Sequence, residues 1–506
     1  KAAQEMMKRI IELTNHHNTP PIWMGTFHSV FAKILRQESY KIGYSENFTI
    51  YDNEDSIKII KRIIKDLSLD TEIYNAKYIF SRISFMKNKL INPEKYQNQK
   101  ELTEQDSKHN IDYFVSIYAK YCKRCKDSNC MDFDDLLIKT YELFKEHKLI
   151  LEEYQNTFKY ILIDEYQDTN KAQDTIIKQI GEKYNNVCIV GDDSQSIYSF
   201  RGANINNMLN FKKFYINVKE FKLEQNYRST QNIVNAANSL IAYNRHKIDK
   251  TIFSKNDDGE KIKLFKYSNG REEGNQTSSI IQDSIRNGSK ASEHAILYRT
   301  NSQSKVLEDS LRKRGINYRI FGGLSFYQRK EIKDIMAFLK LILNHNDEES
   351  IIRIINYPAR GIGPTSVMKI RKQAEAEQQS IWNTLTSPAF NKIQLTKNAK
   401  KNVFFFINML QELFECINKN IFEIIEEVID KTGIVRKLKD NLNTDNINKL
   451  ENIGELINSI KIFSMRTNKN NLIDFINEIS LDEKKDEREK TNKNYVSLMT
   501  IHQSKG

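Results

Sequence analysis

Two short apolar runs, each ending on acidic residues and separated by one helix-length segment, constrain this chain more than any other feature. Residues 160–163 (Tyr-Ile-Leu-Ile) have the length and composition of a strand buried on both faces, and Asp164 and Glu165 follow at once. Residues 171–181 space their apolar side chains as a helix does. A second run, 187–190 (Val-Cys-Ile-Val), leads through Gly191 into Asp192 and Asp193. Ligands of an open parallel sheet bind where its strands end. Two such strands ending in acids predict an α/β chain with a metal–nucleotide site at the mouth of a sheet.

That chemistry assigns candidate roles. A hard Mg²⁺ ion keeps several waters and takes one or two carboxylates plus phosphate oxygens, which suits Asp164. Glu165, from the same strand end, is the candidate base for an attacking water. Gln195 is the candidate sensor of a γ-phosphate. An isolated Asp-Glu pair after a strand more often only starts a turn or caps a helix, so the surrounding residues must decide.

A chain of 506 residues is too long for one core and implies three or four domains. Its formal charge of +12 favours a polyanionic partner such as nucleic acid, although the excess is modest over this length. Five cysteines, an odd number without an export signal, point to reduced thiols in a cytoplasm. Cys122, Cys125 and Cys130 lie close in sequence, but a structural zinc site takes four ligands and no fourth is evident. No apolar run approaches membrane-spanning length. The chain starts Lys-Ala-Ala-Gln without Met and stops within Thr-Ile-His-Gln-Ser-Lys-Gly, so both ends read as cut.

The strings Asp-Glu-Tyr-Gln-Asp-Thr-Asn (164–170) and Gly-Asp-Asp-Ser-Gln-Ser-Ile-Tyr-Ser-Phe-Arg-Gly-Ala (191–203) resemble motifs II and III of the UvrD/Rep/PcrA-type superfamily 1 DNA helicases. Further matches run from Lys1 to Gly506. The resemblance implies two RecA-like parallel-sheet domains, the first incomplete, each interrupted by a mainly helical insertion. The implied boundaries are 1–47 and 131–225 for domain 1A, 48–130 for helical subdomain 1B, 226–335 and 495–506 for domain 2A, and 336–494 for helical subdomain 2B.

The resemblance also assigns residues. Thr26 and His28, in the stretch 22–29 matching motif Ib, are implied contacts to a DNA backbone. Tyr198, Phe200 and Arg201 of motif III are implied to meet unpaired bases, where stacking contributes about 1–3 kcal/mol per base. Many relatives carry Trp at the position of Phe200, and core packing is the competing reading for both rings. Within 221–230, which matches motif IV, Arg228 is the implied arginine finger and Tyr227 the ring on adenine. Gly361, Gly363 and Thr365 form a turn entering a helix, where backbone amides can meet duplex phosphate. Thr500 and His502 of motif V are implied strand contacts, with Gly506 near the γ-phosphate. Phe326, Arg329 and Glu331 are expected to help place domain 2A on the strand. Arg82, Lys87, Lys89, Lys95 and Lys100 offer subdomain 1B charges for phosphate, although a solvated face is the commoner role.

Local pattern adds expectations: a helix over 1–13, a strand entering a helix over 22–29, an acidic helix start at 131–137, and a polar hinge at 255–261. A strand is expected at 262–267, a buried strand followed by polar residues within 295–301, mainly helix over 370–479, and a charged linker over 481–494. The implied activity is an ATP-dependent 3′–5′ DNA helicase using ATP and Mg²⁺ in repair or replication. Its implied partners are single-stranded DNA, duplex junctions and DNA-repair proteins, with no membrane. It is expected as a monomer or weak dimer in the bacterial cytoplasm, nucleoid-associated when bound to DNA. No Gly-x-x-x-x-Gly-Lys-Thr string occurs in the chain, nor does the family's motif VI. The chain alone is therefore expected to lack ATPase activity. The alternatives are a DNA-binding remnant or part of a helicase–nuclease subunit.

Overall fold

The computed structural model describes residues 2–14, 22–215, 217–245, 247–321, 326–440, 444–466, 471–481 and 494–505. The chain falls into two units. The first comprises Lys1–Ile163, Thr169–Cys188 and Tyr327–Glu483; the second comprises Asp164–Asp168, Ile189–Phe326 and Lys484–Gly506.

The first unit is mostly helical. Strand β1 (Thr49–Tyr51) pairs in parallel with β2 (Cys130–Asp132), Ile50 opposite Met131. One core gathers Phe31, Ile34, Leu35, Phe48, Leu136, Phe144, Ala172 and Ile176; a neighbouring one gathers Ile60, Ile63, Ile83, Phe114, Tyr118 and Tyr121. The helix Phe133–Glu146 starts as the acidic pattern predicts. Asp132 accepts the Asp135 amide at 2.7 Å, and the Asp135 carboxylate accepts the Asp132 amide at 3.1 Å, which closes a capping box. The helices Lys330–Leu343 and Glu348–Ile354 are sewn to the 48–130 region by buried polar contacts. Asn344 Nδ2 donates to Thr49 Oγ1, Ser128 O and Asn129 O, each at 3.0 Å, and Tyr51 Oη donates to Asp347 at 2.8 Å.

Strand β3 (Ile161–Ile163) pairs with β4 (Val187–Ile189), and the helix Lys171–Gly181 lies between them in sequence at the positions its periodicity predicts. The expected double burial of 160–163 is not observed. Ile163 is buried, but Tyr160 and Leu162 are 76% and 78% exposed. Side chains alternate along a strand, and in this two-stranded pair only the side of Ile161 and Ile163 is covered.

In the second unit β5 (Gln225–Asn226) pairs in parallel with β6 (Phe253–Ser254). Strands β7 (Ala295–Tyr298), β8 (Tyr318–Ile320) and β9 (Val496–Thr500) form a parallel sheet ordered β7-β9-β8. Tyr298, Leu311, Val496 and Leu498 lie in its core. The strand expected at 295–301 is thus β7, four residues long. Two other expected strands are absent. Residues 22–26 carry no strand, because Thr26 already caps the helix Phe27–Glu38. Residues 262–267 alternate in sequence but pair with nothing, and Leu264 is 96% exposed. Alternation creates a strand only where a partner strand and a covered face exist. Among the described residues, 370–479 is mainly helical as expected. The charged stretch from 482 to 493 lies outside the described residues.

Candidate active site

Asp164 and Glu165 are both exposed immediately after β3. Asp164 Oδ1 accepts the Glu165 amide at 2.9 Å. Glu165 has φ of 53°, in the left-handed region. A residue with a Cβ is held there at a cost on the order of 1–2 kcal/mol, and such strain clusters at functional sites. Neither carboxylate has an ion pair among the described residues.

The fully buried Gln167, missed by the sequence reading, joins the acids to the second loop. Its Nε2 donates to Glu165 Oε2, and its Oε1 accepts the Asp192 amide at 3.0 Å. Gly191 makes that approach possible, because a Cβ there would run into Gln167 Oε1. Asp192 then orients the following turn: Oδ1 accepts the Ser194 amide at 3.0 Å and Oδ2 accepts Gln195 Nε2 at 2.9 Å. Tyr166 N donates to Val190 O at 3.0 Å and pins the two loops together. Glu165, Gln167, Asp192 and Gln195 therefore form one hydrogen-bonded frame, with the Asp164 side chain beside it.

The other two acids share one cation. Lys250 Nζ bonds to Asp192 Oδ1 and Asp193 Oδ1. Burial pulls the Asp192 carboxyl upward, but its bonds from Lys250 and Gln195 outweigh that, and it titrates below the usual range. Burial works against the Lys250 ammonium as well, and the two carboxylates raise it overall. Among the described residues no group of three or more His, Cys, Asp or Glu converges on one point. A Mg²⁺ ion needs only one or two carboxylates beside water and phosphate oxygens, and the Asp164 carboxylate is uncommitted among the described residues. Burial pushes the Cys122 thiol up to about 12, and Cys125 and Cys130 are raised by burial too, so all three sit as packed thiols.

Tyr227 and Arg228 follow β5. Asn226 Oδ1 accepts the Arg228 and Ser229 amides at 2.9 and 2.8 Å, shaping the turn. Tyr227 is 80% exposed, and the exposed Arg228 guanidinium carries no ion pair among the described residues. No hydrogen bond joins it to Asp164, Glu165 or Gln195.

Tyr198 and Phe200 meet His502 in the turn after β9, and Arg201 lies against both of their rings. Phe200 and His502 stand edge to face with centroids 5.2 Å apart, and Tyr198 Oη donates to His502 O at 2.6 Å. The Arg201 guanidinium lies 5.5 Å from the Tyr198 ring and 5.6 Å from the Phe200 ring. Phe200 remains 63% exposed, which leaves a ring face for a base. Thr500 caps the turn and is buried. Lys505, another residue the sequence reading missed, bonds to Asp168 Oδ2 at 2.5 Å and to Gln195 O.

Comparison with known proteins gives the lineage of this frame. Residues 1–216 match the UvrD/REP helicase N-terminal domain, and residues 221–506 match the UvrD-like helicase C-terminal domain. This chain belongs to the UvrD/Rep/PcrA-type helicase family. It is 40% identical over 509 residues to the ATP-dependent DNA helicase PcrA of Staphylococcus epidermidis, and 39% identical to that of Staphylococcus aureus. Each match covers 100% of this chain and 68% of the relative. UvrD-type helicase domains carry a RecA-like two-domain fold, consistent with the small parallel sheets described above.

The remaining residues assigned by resemblance to this helicase family have defined local places. Thr26 accepts the Ser29 amide at 3.3 Å as helix cap, and the half-buried His28 stands edge to face with Phe133. Burial lowers the His28 imidazole to about 4, which keeps it neutral at physiological pH. Gly361 has φ of 72°, Gly363 caps the helix Pro364–Ala376, and Thr365 is exposed in its first turn. Gly506 lies outside the described residues. Phe326 is buried, while Arg329 and Glu331 are both bonded to Asn452 within the first unit.

Two charges offered for phosphate contact are engaged elsewhere. Lys87 is 1% exposed and pairs with Asp132 and Asp135 at 2.6 and 2.8 Å. Arg82 is bonded to Asp106 and Tyr96. Both were open to the phosphate reading because sequence alone does not show that their charges are balanced inside the fold.

Proposed function

We propose that this protein is an ATP-driven DNA translocase. It moves 3′ to 5′ along one strand and unwinds the duplex ahead of it, in repair or replication. The observation that carries this reading is the continuous frame from Glu165 through Gln167 and Asp192 to Gln195, with Asp164, which has no ion pair among the described residues, beside it. Within this reading Asp164 is the carboxylate for a Mg²⁺–ATP complex. Magnesium, when bound, neutralises phosphate charge and orients its oxygens. Glu165 holds the attacking water and accepts its proton. Gln195 reports the state of the γ-phosphate, Arg228 spreads charge in the transition state, and Tyr227 and Gly506 border the nucleotide. Tyr198, Phe200, Arg201, Thr500, His502, Thr26 and His28 contact the single strand, and Gly361, Gly363 and Thr365 approach duplex phosphates. The reading includes helical insertions 1B and 2B at the boundaries given above. It also includes a monomer or weak dimer in the bacterial cytoplasm, with DNA-repair proteins as partners.

A second reading is DNA binding without hydrolysis. A DNA-stimulated ATPase assay of the full protein separates the two. In the hydrolysing form, Glu165→Gln should lower turnover by about 10²–10⁴-fold, the range for loss of a general base. Nucleotide binding should persist, measured with a fluorescent ATP analogue. Unchanged turnover in that variant overturns the assignment.

A further inference from the structure

Lys250 lies 58 residues beyond Asp192 and 57 beyond Asp193, yet it is the cation on which both converge. Its side chain is 17% exposed, and that of Asp193 only 2%. Two adjacent carboxylates repel each other, and a buried one is costly unless paired. Without a cation this pair would turn outward or take up a proton, and Asp192 would lose its hold on Ser194 and Gln195.

The lysine is itself firmly placed. Ile248 N donates to Asp193 Oδ2 at 3.0 Å, Thr251 N donates to Glu224 Oε1 at 2.9 Å, and Phe253 N donates to Glu224 O at 3.0 Å. Phe253 pairs with Gln225 in the β5–β6 register, two residues before Tyr227 and three before Arg228. The segment bearing Lys250 is thus bonded on one side to the Gln195 turn and on the other to the strand that presents the arginine.

We propose that Lys250 is a positioning residue for hydrolysis. By gripping Asp192 and Asp193 together it fixes the carboxylate that orients Gln195 and, through the Asp192 amide and Gln167, the carboxylate of Glu165. It touches no nucleotide. It sets the angle of the sensor and of the base, and it ties both to the turn of Arg228. The inference rests on the reading of Gln195 and Glu165 as hydrolytic residues.

The test is a double-mutant cycle on DNA-stimulated ATP turnover in the full protein. Lys250→Met should lower kcat about tenfold and leave KM for ATP within about twofold, the pattern of a lost transition-state contact. Lys250→Arg should recover most of the loss. In a Gln195→Ala background, Lys250→Met should cost less than about a further twofold, because residues acting as one unit are not additive. Should Lys250→Met fold poorly, Lys250→Met with Asp193→Asn removes the unpaired buried charge and should keep the kcat loss. Fully additive losses, or unchanged kcat in a well-folded Lys250→Met, overturn the proposal. If Gln195→Ala itself keeps full turnover, the hydrolytic reading fails and takes this inference with it. Loss in Gln195→Ala without loss in Lys250→Met refutes the lysine's role alone.

Discussion

Asp132, Asp134 and Asp135 at the end of β2, and Asp164 and Glu165 at the end of β3, are carboxylates at the end of three-residue strands in the same chain. Their environments are opposite. Lys87 sits between Asp132 and Asp135, Tyr121 Oη donates to Asp132 at 2.7 Å, and the Asn88 amide donates to Asp134 at 2.8 Å. Every acid of that group is spoken for by a donor from a neighbouring helix. After β3 the acids face solvent, Glu165 is held in a strained backbone, and the described residues supply neither acid with an ion-pairing cation. Asp192 and Asp193 after β4 stand between these extremes, tied to one lysine. The contrast shows what separates a structural carboxylate from one available for a metal: whether the fold provides its counter-charge.

The comparison breaks first at Lys87. Lys87→Met leaves two buried carboxylates unpaired and should destabilise the first unit by about 3–5 kcal/mol, read from urea unfolding. A loss near zero would mean that the cluster is hydrated and no different from the acids of β3. The same contrast holds for aromatic rings. Tyr121 is fully buried, whereas Phe200 is 63% exposed beside His502. Phe200→Ala should therefore weaken single-strand binding by about 1–3 kcal/mol in fluorescence anisotropy. Unaltered affinity would reduce Phe200 to packing on His502.

The smallest effect concerns pH. Burial first, then the charge of Asp132, pushes the Asp134 carboxyl up to about 7. The folded protein then holds a proton that the unfolded chain releases near pH 4, so stability contributed below that pH is lost as pH rises from about 4 to about 7. Asp134→Asn should flatten this slope by on the order of 1–2 kcal/mol, since the residue is only half-buried. Unfolding midpoints at pH 4.5 and 7.5 check it. An unchanged slope would place Asp134 with the solvated acids.

Local pattern was enough to read several parts of this molecule. The helix Lys171–Gly181, the acidic helix start within 131–137, and acids at the ends of β3 and β4 all follow from nearest-neighbour sequence. What escaped depends on distant partners. Leu162 and Leu264 look like core residues but have no covering face, and Lys87 looks like a surface charge until Asp132 and Asp135 close around it. Gln167 lay in plain view within Asp-Glu-Tyr-Gln-Asp, yet its role appears only when Gly191 lets the second loop approach. Lys250 had no local signal at all.

The account stands on Asp164 being the acid left free for a divalent ion while Asp192 is committed to Lys250. Nucleotide affinity measured with and without Mg²⁺ in Asp164→Asn and Asp192→Asn variants of the full protein decides it. Asp164→Asn should erase about tenfold or more of the magnesium-dependent gain in ATP affinity, as for a lost metal ligand, and Asp192→Asn should keep that gain within about threefold. The reverse result, with Asp192→Asn losing the magnesium dependence and Asp164→Asn retaining it, would contradict the account.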